Sequence, residues 1–229
     1  MRILALETST ELGSCALWQD GTVRILHCPP GQSHSATLLP LVRQLLAEAG
    51  VVMADLDAIA FGAGPGAFTG LRVACGAAQG LAVALDKPVV PVNTLATMAW
   101  KTLTPRVTVC LDARMNEVYS ASFERQADDM VLQGLVTVTG PEQVALPAEA
   151  GALVCGNALK AYPALAARAE AAGLSLRPDI MPDAEACAIL ASAAFRRGEG
   201  IDPALAAPLY VRDKVAQTVA ERLAQGGKA

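Results

Sequence analysis

The chain has 229 residues, a formal net charge of −4 and only one adjacent pair of basic residues, Arg196 and Arg197. It therefore offers no broad basic field for gripping a polyanion directly. Hydrophobic residues make up 53% and aromatics only 4%, so one large core or two small ones must be built from aliphatic and small side chains.

In chain order, Arg2 to Glu7, GSCALW and TVRILH read as three sequential antiparallel strands, the last two joined at Asp20-Gly21, a strong hairpin signal. Ser33 to Gly50 has leucines at helical spacing, Ser33 or Ser35 as N-cap, Pro40 near the first turn and Gly50 as the stop. Leu38, Leu39, Leu41, Val42, Leu45 and Leu46 cover more than half of that helix, which then needs two surfaces to pack against. Leu56 to Phe61 is a buried strand, followed by the loop GAGPGAFTG (62 to 70) and a helix from about Thr69 to Leu85. Val89 and Val90 suggest a short strand and Thr94 to Lys101 a third helix, and Thr104-Pro105 marks a boundary.

Beyond it the pattern restarts. RVTVCLDAR (106 to 114), NEVYSASFE (116 to 124) and MVLQGLVTVT (130 to 139) read as strands, Pro141 to Val144 as a short helix, Ala152 to Cys155 as a strand, and Leu159 to Ala172 and Asp183 to Arg197 as helices. LALETS (4 to 9) and VCLDAR (109 to 114) both end a first strand in an acid. The order predicts an α/β protein of two ribonuclease-H-like, actin/Hsp70-like ATPase domains, each a mixed sheet with helices. Residues 1–104 form one and 105–229 the other, with the final helix packing back on the first.

Such a cleft would use Glu7, Thr8, Gly64, Gly66, Asp112 and Arg114 around a nucleotide, aided by the start of the second helix. The loop lacks a Walker lysine, and the third glycine of GxGxxG is Ala67; strand-end acids that merely cap turns are the alternative. The helix after the loop supports a different use. Ala74, Gly76, Ala77, Ala78, Gly80, Ala82 and Ala84 are all small, and glycine inside a helix costs about 1 kcal/mol against alanine. Gly76 and Gly80 therefore point to close approach of another helix, the leucine helix first, with the outer face of the pair as an oligomer or partner interface. Ser33, His34 and Ser35 are contiguous and no GxSxG elbow is present, which argues against a peptidase.

The six cysteines (Cys15, Cys28, Cys75, Cys110, Cys155, Cys187) lack any CxxC pair and read as buried, reduced thiols, and His27 and His34 are too few for a histidine metal site. The best apolar run, Val73 to Leu85, is bounded by Arg72 and Asp86 and is shorter than the roughly 20 residues of a spanning helix. The start, MRILALETST, lacks the apolar stretch of a secretory signal. No membrane segment and a cytoplasmic location are expected.

ILALETSTELGSCAL, HSATLLPLV, GAGPGAFTGLRVACGAAQGLA, PVNTLATMA, LDARMNEVY, CGNAL and PLYVR occur in this order along the chain, which resembles the bacterial TsaB (YeaZ) family over nearly its whole length. The resemblance implies a part in making N6-threonylcarbamoyladenosine at position 37 of tRNAs that read codons beginning with A. It further implies a non-catalytic paralogue of the TsaD transferase that binds and activates TsaD through first-domain helices, with the ATPase TsaE joining them and tRNA met only through the complex. The metal-binding HxxxH of that transferase has no counterpart among His27 and His34. The implied interface lies on Ser35 to Ala49 and Thr69 to Leu85, with Leu38, Leu41, Val42, Leu45, Leu46, Arg72, Val73, Gly76, Ala77 and Gly80 as contacts. No cofactor is required, weak ATP or ADP binding is left open, and a homodimer is expected when the chain is alone. An independent nucleotide-dependent phosphotransferase is the alternative.

Overall fold

The structure is a computed structural model and describes residues 1–212; residues 213–229, the end of the second expected domain, lie outside the described residues. Strands β1 (Arg2–Glu7), β2 (Ser14–Gln19) and β3 (Thr22–His27) form an antiparallel meander, and β4 (Ala58–Gly64) and β5 (Val89–Asn93) add in parallel on the far side of β1. The first sheet thus runs β3-β2-β1-β4-β5. The second repeats the plan with β6 (Arg106–Arg114), β7 (Glu117–Gln126), β8 (Asp129–Thr139), β9 (Leu153–Cys155) and β10 (Ser175–Arg177), in the order β10-β9-β6-β7-β8. Both sheets are mixed and five-stranded, and the actin/Hsp70-like duplication expected from the two acid-ended strands is present.

Helices α1 (His34–Ala49) and α2 (Phe68–Leu85) cover one face of the first sheet, where Leu4, Leu6, Leu17 and Phe61 meet Leu38, Val42, Leu45 and Ala78. The other face is covered too, which is why β1 reads as an unbroken apolar run rather than an alternating one. Its cover is α3 (Thr94–Trp100) and α6 (Ala184–Arg196), which lie between the two sheets. Asn93 caps α3 by accepting from Leu95 N–H at 2.8 Å and Ala96 N–H at 3.2 Å, and Asp183 caps α6 by accepting from Ala186 N–H at 3.0 Å. Ile3, Ala5 and Ala60 from one sheet and Val109, Leu111 and Phe123 from the other share one core with Met98, Cys187 and Leu190. The position near 104 therefore separates the sheets and not the core, because α6 comes from the second half of the sequence and packs on β1 and β2.

Three expectations change. Pro141 to Val144 is a turn closed by Gln143 N–H on the Gly140 carbonyl at 2.9 Å, too short to continue as a helix. The helix expected over 159 to 172 is two, α4 (Ala158–Ala161) and α5 (Pro163–Ala171). Pro163 has no N–H to donate and drives Tyr162 out of helical geometry, to φ −128° and ψ 86°. Third, α2 is long and apolar enough to cross a membrane by length and composition; here Leu71, Ala74, Ala78 and Ala82 on its inner side are buried. The six cysteines are all buried and unpaired, and burial pushes Cys15, Cys110 and Cys155 up to about 12.

Candidate functional site: an inter-sheet cleft and an outward helix face

A cleft of about 440 Å³ opens between the two halves. Thr8 to Glu11, the first turn of α1 and Gly66 to Gly70 line one side, and Asp112, Arg114, Tyr119 and Asn157 the other. The glycine loop is packed onto the chain that follows β1. Thr8 Oγ1 donates to the Gly70 carbonyl at 2.7 Å and Ala67 N–H to the Ser9 carbonyl at 2.7 Å. A Cβ on Gly70 would lie 1.8 Å from the Thr8 oxygen, and one on Gly66 2.5 Å from that of Ser9. Gly64 N–H donates to Thr94 Oγ1 at 3.2 Å. These glycines are thus required by contacts inside the chain, and two amides that a phosphate cradle would use are already donated.

Glu7 does not face the cleft. Side chains alternate along a strand, so Glu7 follows Ile3 and Ala5 toward α6, where it is fully buried near Cys187 and Asp183. Its Oε1 accepts Ser9 N–H at 2.7 Å, Oε2 has no partner among the described residues, and a Cβ on Gly62 would sit 2.0 Å from Oε2. Burial raises its pKa, with the Ser9 hydrogen bonds opposing more weakly. Because the native carboxyl holds its proton more tightly than the unfolded one, stability is full below the unfolded pKa and falls as pH rises from there through the native pKa. Melting wild type and Glu7→Gln between pH 4.5 and 8 is expected to show a Tm difference that moves steadily in favour of Glu7→Gln; a pH-independent difference would contradict a raised Glu7.

Asp112 does line the cleft, but its carboxylate is occupied. Oδ1 accepts Tyr162 OH at 2.8 Å and Arg114 N–H at 2.8 Å, and Oδ2 pairs with the Arg114 guanidinium at 3.1 Å. Asn157 Oδ1 in turn accepts Asp112 N–H at 2.9 Å. Burial, and then the bond to Asp112, pushes Tyr162 up to about 12, so it remains a donor. Arg114 is largely exposed and reaches Glu11 of the first half at 3.8 Å. Glu7 and Asp112 therefore do not face each other across the cleft. One acid is sealed below the floor, and the other is held by Tyr162, Arg114 and Asn157. Sequence pattern located Asp112 and Arg114 but not Tyr162 or Asn157, which arrive from another element.

The interface residues divide. Leu38, Val42, Leu45 and Leu46 are at most 4% exposed and belong to the core, so they are not surface contacts; they use the side of α1 that faces the sheet. Leu41 is half-buried, and Leu39 is exposed. On α2, Arg72, Gly76 and Gly80 are exposed and Val73 and Ala77 half-buried, while Val83, which the sequence did not mark, is 68% exposed. Among the described residues, a Cβ on Gly76 or Gly80 would meet nothing within 4 Å. The expected close approach of α1 at these glycines does not occur, and they face outward.

Two mixed sheets in duplicate order, with helices shared between them and a cleft at their strand ends, define the actin/Hsp70-like class. The model of the family described as TsaD, tRNA N6-adenosine threonylcarbamoyltransferase, matches residues 30–219. The Escherichia coli K12 tRNA threonylcarbamoyladenosine biosynthesis protein TsaB is 39% identical over 94% of this chain and 96% of its own length. The solved structure of YeaZ from Pseudomonas aeruginosa is 39% identical with a TM-score of 0.80, covering 91% of this chain and 99% of that one. A second Pseudomonas aeruginosa structure, described as an uncharacterized protein with similarity to peptidase YEAZ, aligns at 39% identity and TM-score 0.82 over 92% of this chain and 99% of its own. The chain belongs to the TsaB family, with a role in tRNA threonylcarbamoyladenosine biosynthesis.

Proposed function

We propose that this chain is a non-catalytic subunit of the complex that forms N6-threonylcarbamoyladenosine at position 37 of tRNAs reading ANN codons. It binds and activates the TsaD-family transferase through the outer face of α2, with a TsaE-like ATPase joining the two, in the cytoplasm. tRNA is met only through the complex, no cofactor is required by this chain itself, any ATP or ADP affinity is weak, and two copies pair by the same face when the transferase is absent.

The observation that carries this reading is the pair Gly76 and Gly80. Each lies on the exposed side of α2, with open space among the described residues where a side chain would be, so neither is needed for packing among them. Their helix cost, about 1 kcal/mol each against alanine, finds its return in a surface that a second helix can approach closely. The occupied state of Asp112 and the burial of Glu7 support the absence of catalysis. The double variant Gly76→Ala/Gly80→Ala is expected to be more stable by about 1 to 2 kcal/mol, from propensity alone, while binding the transferase, and itself, more weakly. Thermal melts, with light scattering in the presence and absence of the transferase, check both parts; tighter or unchanged association would contradict the assigned face.

A further inference from the structure

After α6 the chain runs back across the first half, mostly extended, with a 3-10 turn at Pro203–Leu205. Ile201 pairs with Val89 of β5, N–H to carbonyl at 2.9 Å one way and 3.0 Å the other. The chain then follows α2, where Gln79 Nε2 donates to the carbonyls of Pro203 at 3.0 Å and Ala206 at 3.1 Å. Leu209 N–H joins the end of β4 through the Ala63 carbonyl at 2.7 Å. Arg72, on the outward side of α2, donates through Nε to Tyr210 OH at 3.1 Å and lies 3.7 Å over the Phe68 ring, which is itself 5.6 Å from the ring of Tyr210.

Two residues later Arg212 crosses to the second half. Its Nη2 donates to the Ala113 carbonyl at 2.9 Å and to the Glu117 carboxylate, and its Nη1 lies 3.6 Å from the Met115 sulfur. These partners bracket Arg114, Met115 and Asn116, three successive non-glycine residues at φ 61°, 54° and 58°. Left-handed backbone is unfavourable for side chains of this kind and persists where surrounding contacts hold it. The pairing of Arg114 with Glu117 and the Arg114 N–H on Asp112 Oδ1 hold it locally, and Arg212 adds a hold from outside at both ends of the turn. The turn in its place carries Arg114 into the cleft, against Asp112 and Glu11.

We propose that residues 201–212 form a strap that couples the outer face of α2 to the Arg114 turn, so that a transferase seated on α2 fixes Arg114 at the mouth of the cleft. This rests on the reading that the transferase docks on α2. Arg72 belongs both to that face and to the aromatic cluster that anchors the strap, so a contact that fixes Arg72 and Tyr210 also fixes Arg212, two residues further on. Coupling of this kind is reciprocal, and the strained turn is the element that it biases.

The test is hydrogen exchange of the full chain, free and with the transferase, read in peptides covering 72–83 and 113–117. In wild type, the transferase is expected to slow exchange in both. In Arg212→Ala, whose Tm shows that it is folded, it slows only the α2 peptide, and the turn exchanges about tenfold faster with or without partner, within the usual range of coupling strengths. A partner-free arm uses Arg72→Ala, a residue that does not touch the turn, and the milder Tyr210→Phe. Both are expected to speed exchange at 113–117, Arg72→Ala by several-fold. No change there overturns the strap whatever the transferase does, as does protection of the turn that survives in Arg212→Ala. Absence of protection at 72–83, with the partner-free arm behaving as expected, overturns instead the docking reading on which the transferase half of the proposal rests.

Discussion

Gly80→Trp is expected to weaken binding of the TsaD-family transferase by about 100-fold or more, while leaving the Tm of the isolated chain within a degree or two. Among the described residues, nothing beyond the adjoining backbone of α2 lies within 4 Å of where a Gly80 Cβ would stand, so a side chain can leave α2 there without displacing them. Tryptophan is also a better helix former than glycine. In a helix-to-helix contact the same atoms occupy the volume that the partner must enter, and a loss of about 2.7 kcal/mol, the scale of a central interface residue, is 100-fold in affinity. Val83→Glu, one turn further on at a 68% exposed position, places a charge on the same face and gives a second reading by different chemistry. Affinity measured by interferometry on both variants, beside their melts, settles the face. Wild-type affinity in both would move the interface elsewhere.

Leu45→Asp is expected to abolish the cooperative fold. From spacing alone Leu45 belongs to an interface stripe, and a charge there would only block association. In the structure it is 1% exposed, against Leu4, Leu17 and Leu38 in one cluster. Truncating such a leucine costs about 2–5 kcal/mol, and burying a carboxylate without a partner adds several more. The sum reaches the whole stability of a typical domain, about 5–15 kcal/mol. Circular dichroism on the purified variant is expected to show no cooperative melt. A folded Leu45→Asp with normal Tm would place Leu45 on the surface and restore the sequence-based stripe.

The composition of α1 leaves its orientation undetermined. Apolar residues on more than half of a helix say that two things cover it, without saying which side faces the sheet. The sheet takes Leu38, Val42, Leu45 and Leu46, and Leu39 remains outside. The first nine strands, their duplicated order and the position of the cleft were legible, because apolar runs, turn residues and an acid near the end of β1 and of β6 are local signals; β10, three residues with one half-buried side chain, was not. The direction of Glu7 was legible in principle too, since it continues the Ile3, Ala5 side of β1. What no local pattern carries is the placement of α6 under the first sheet and the path of the chain from Ile201 to Arg212. Those depend on contacts made more than a hundred residues away, such as Ala184 N–H on Ser14 Oγ at 2.9 Å and Arg72 on Tyr210. The loop 62–70 shows the same limit in miniature. Its glycines were visible, but the Thr8 and Ser9 carbonyls that require them were not.

The central claim is that this chain serves threonylcarbamoyladenosine formation through a face and not through a reaction centre. It is tested most directly by reconstituting the modification of an ANN-reading tRNA with the TsaD-family transferase and its TsaE-like partner. The chain is supplied in three forms, wild type, Gly80→Trp and Asp112→Asn, each first shown to be folded. The account predicts modification with wild type and with Asp112→Asn, and loss with Gly80→Trp or with the chain left out. Loss with Asp112→Asn while transferase binding is intact, or full modification with Gly80→Trp, would contradict it.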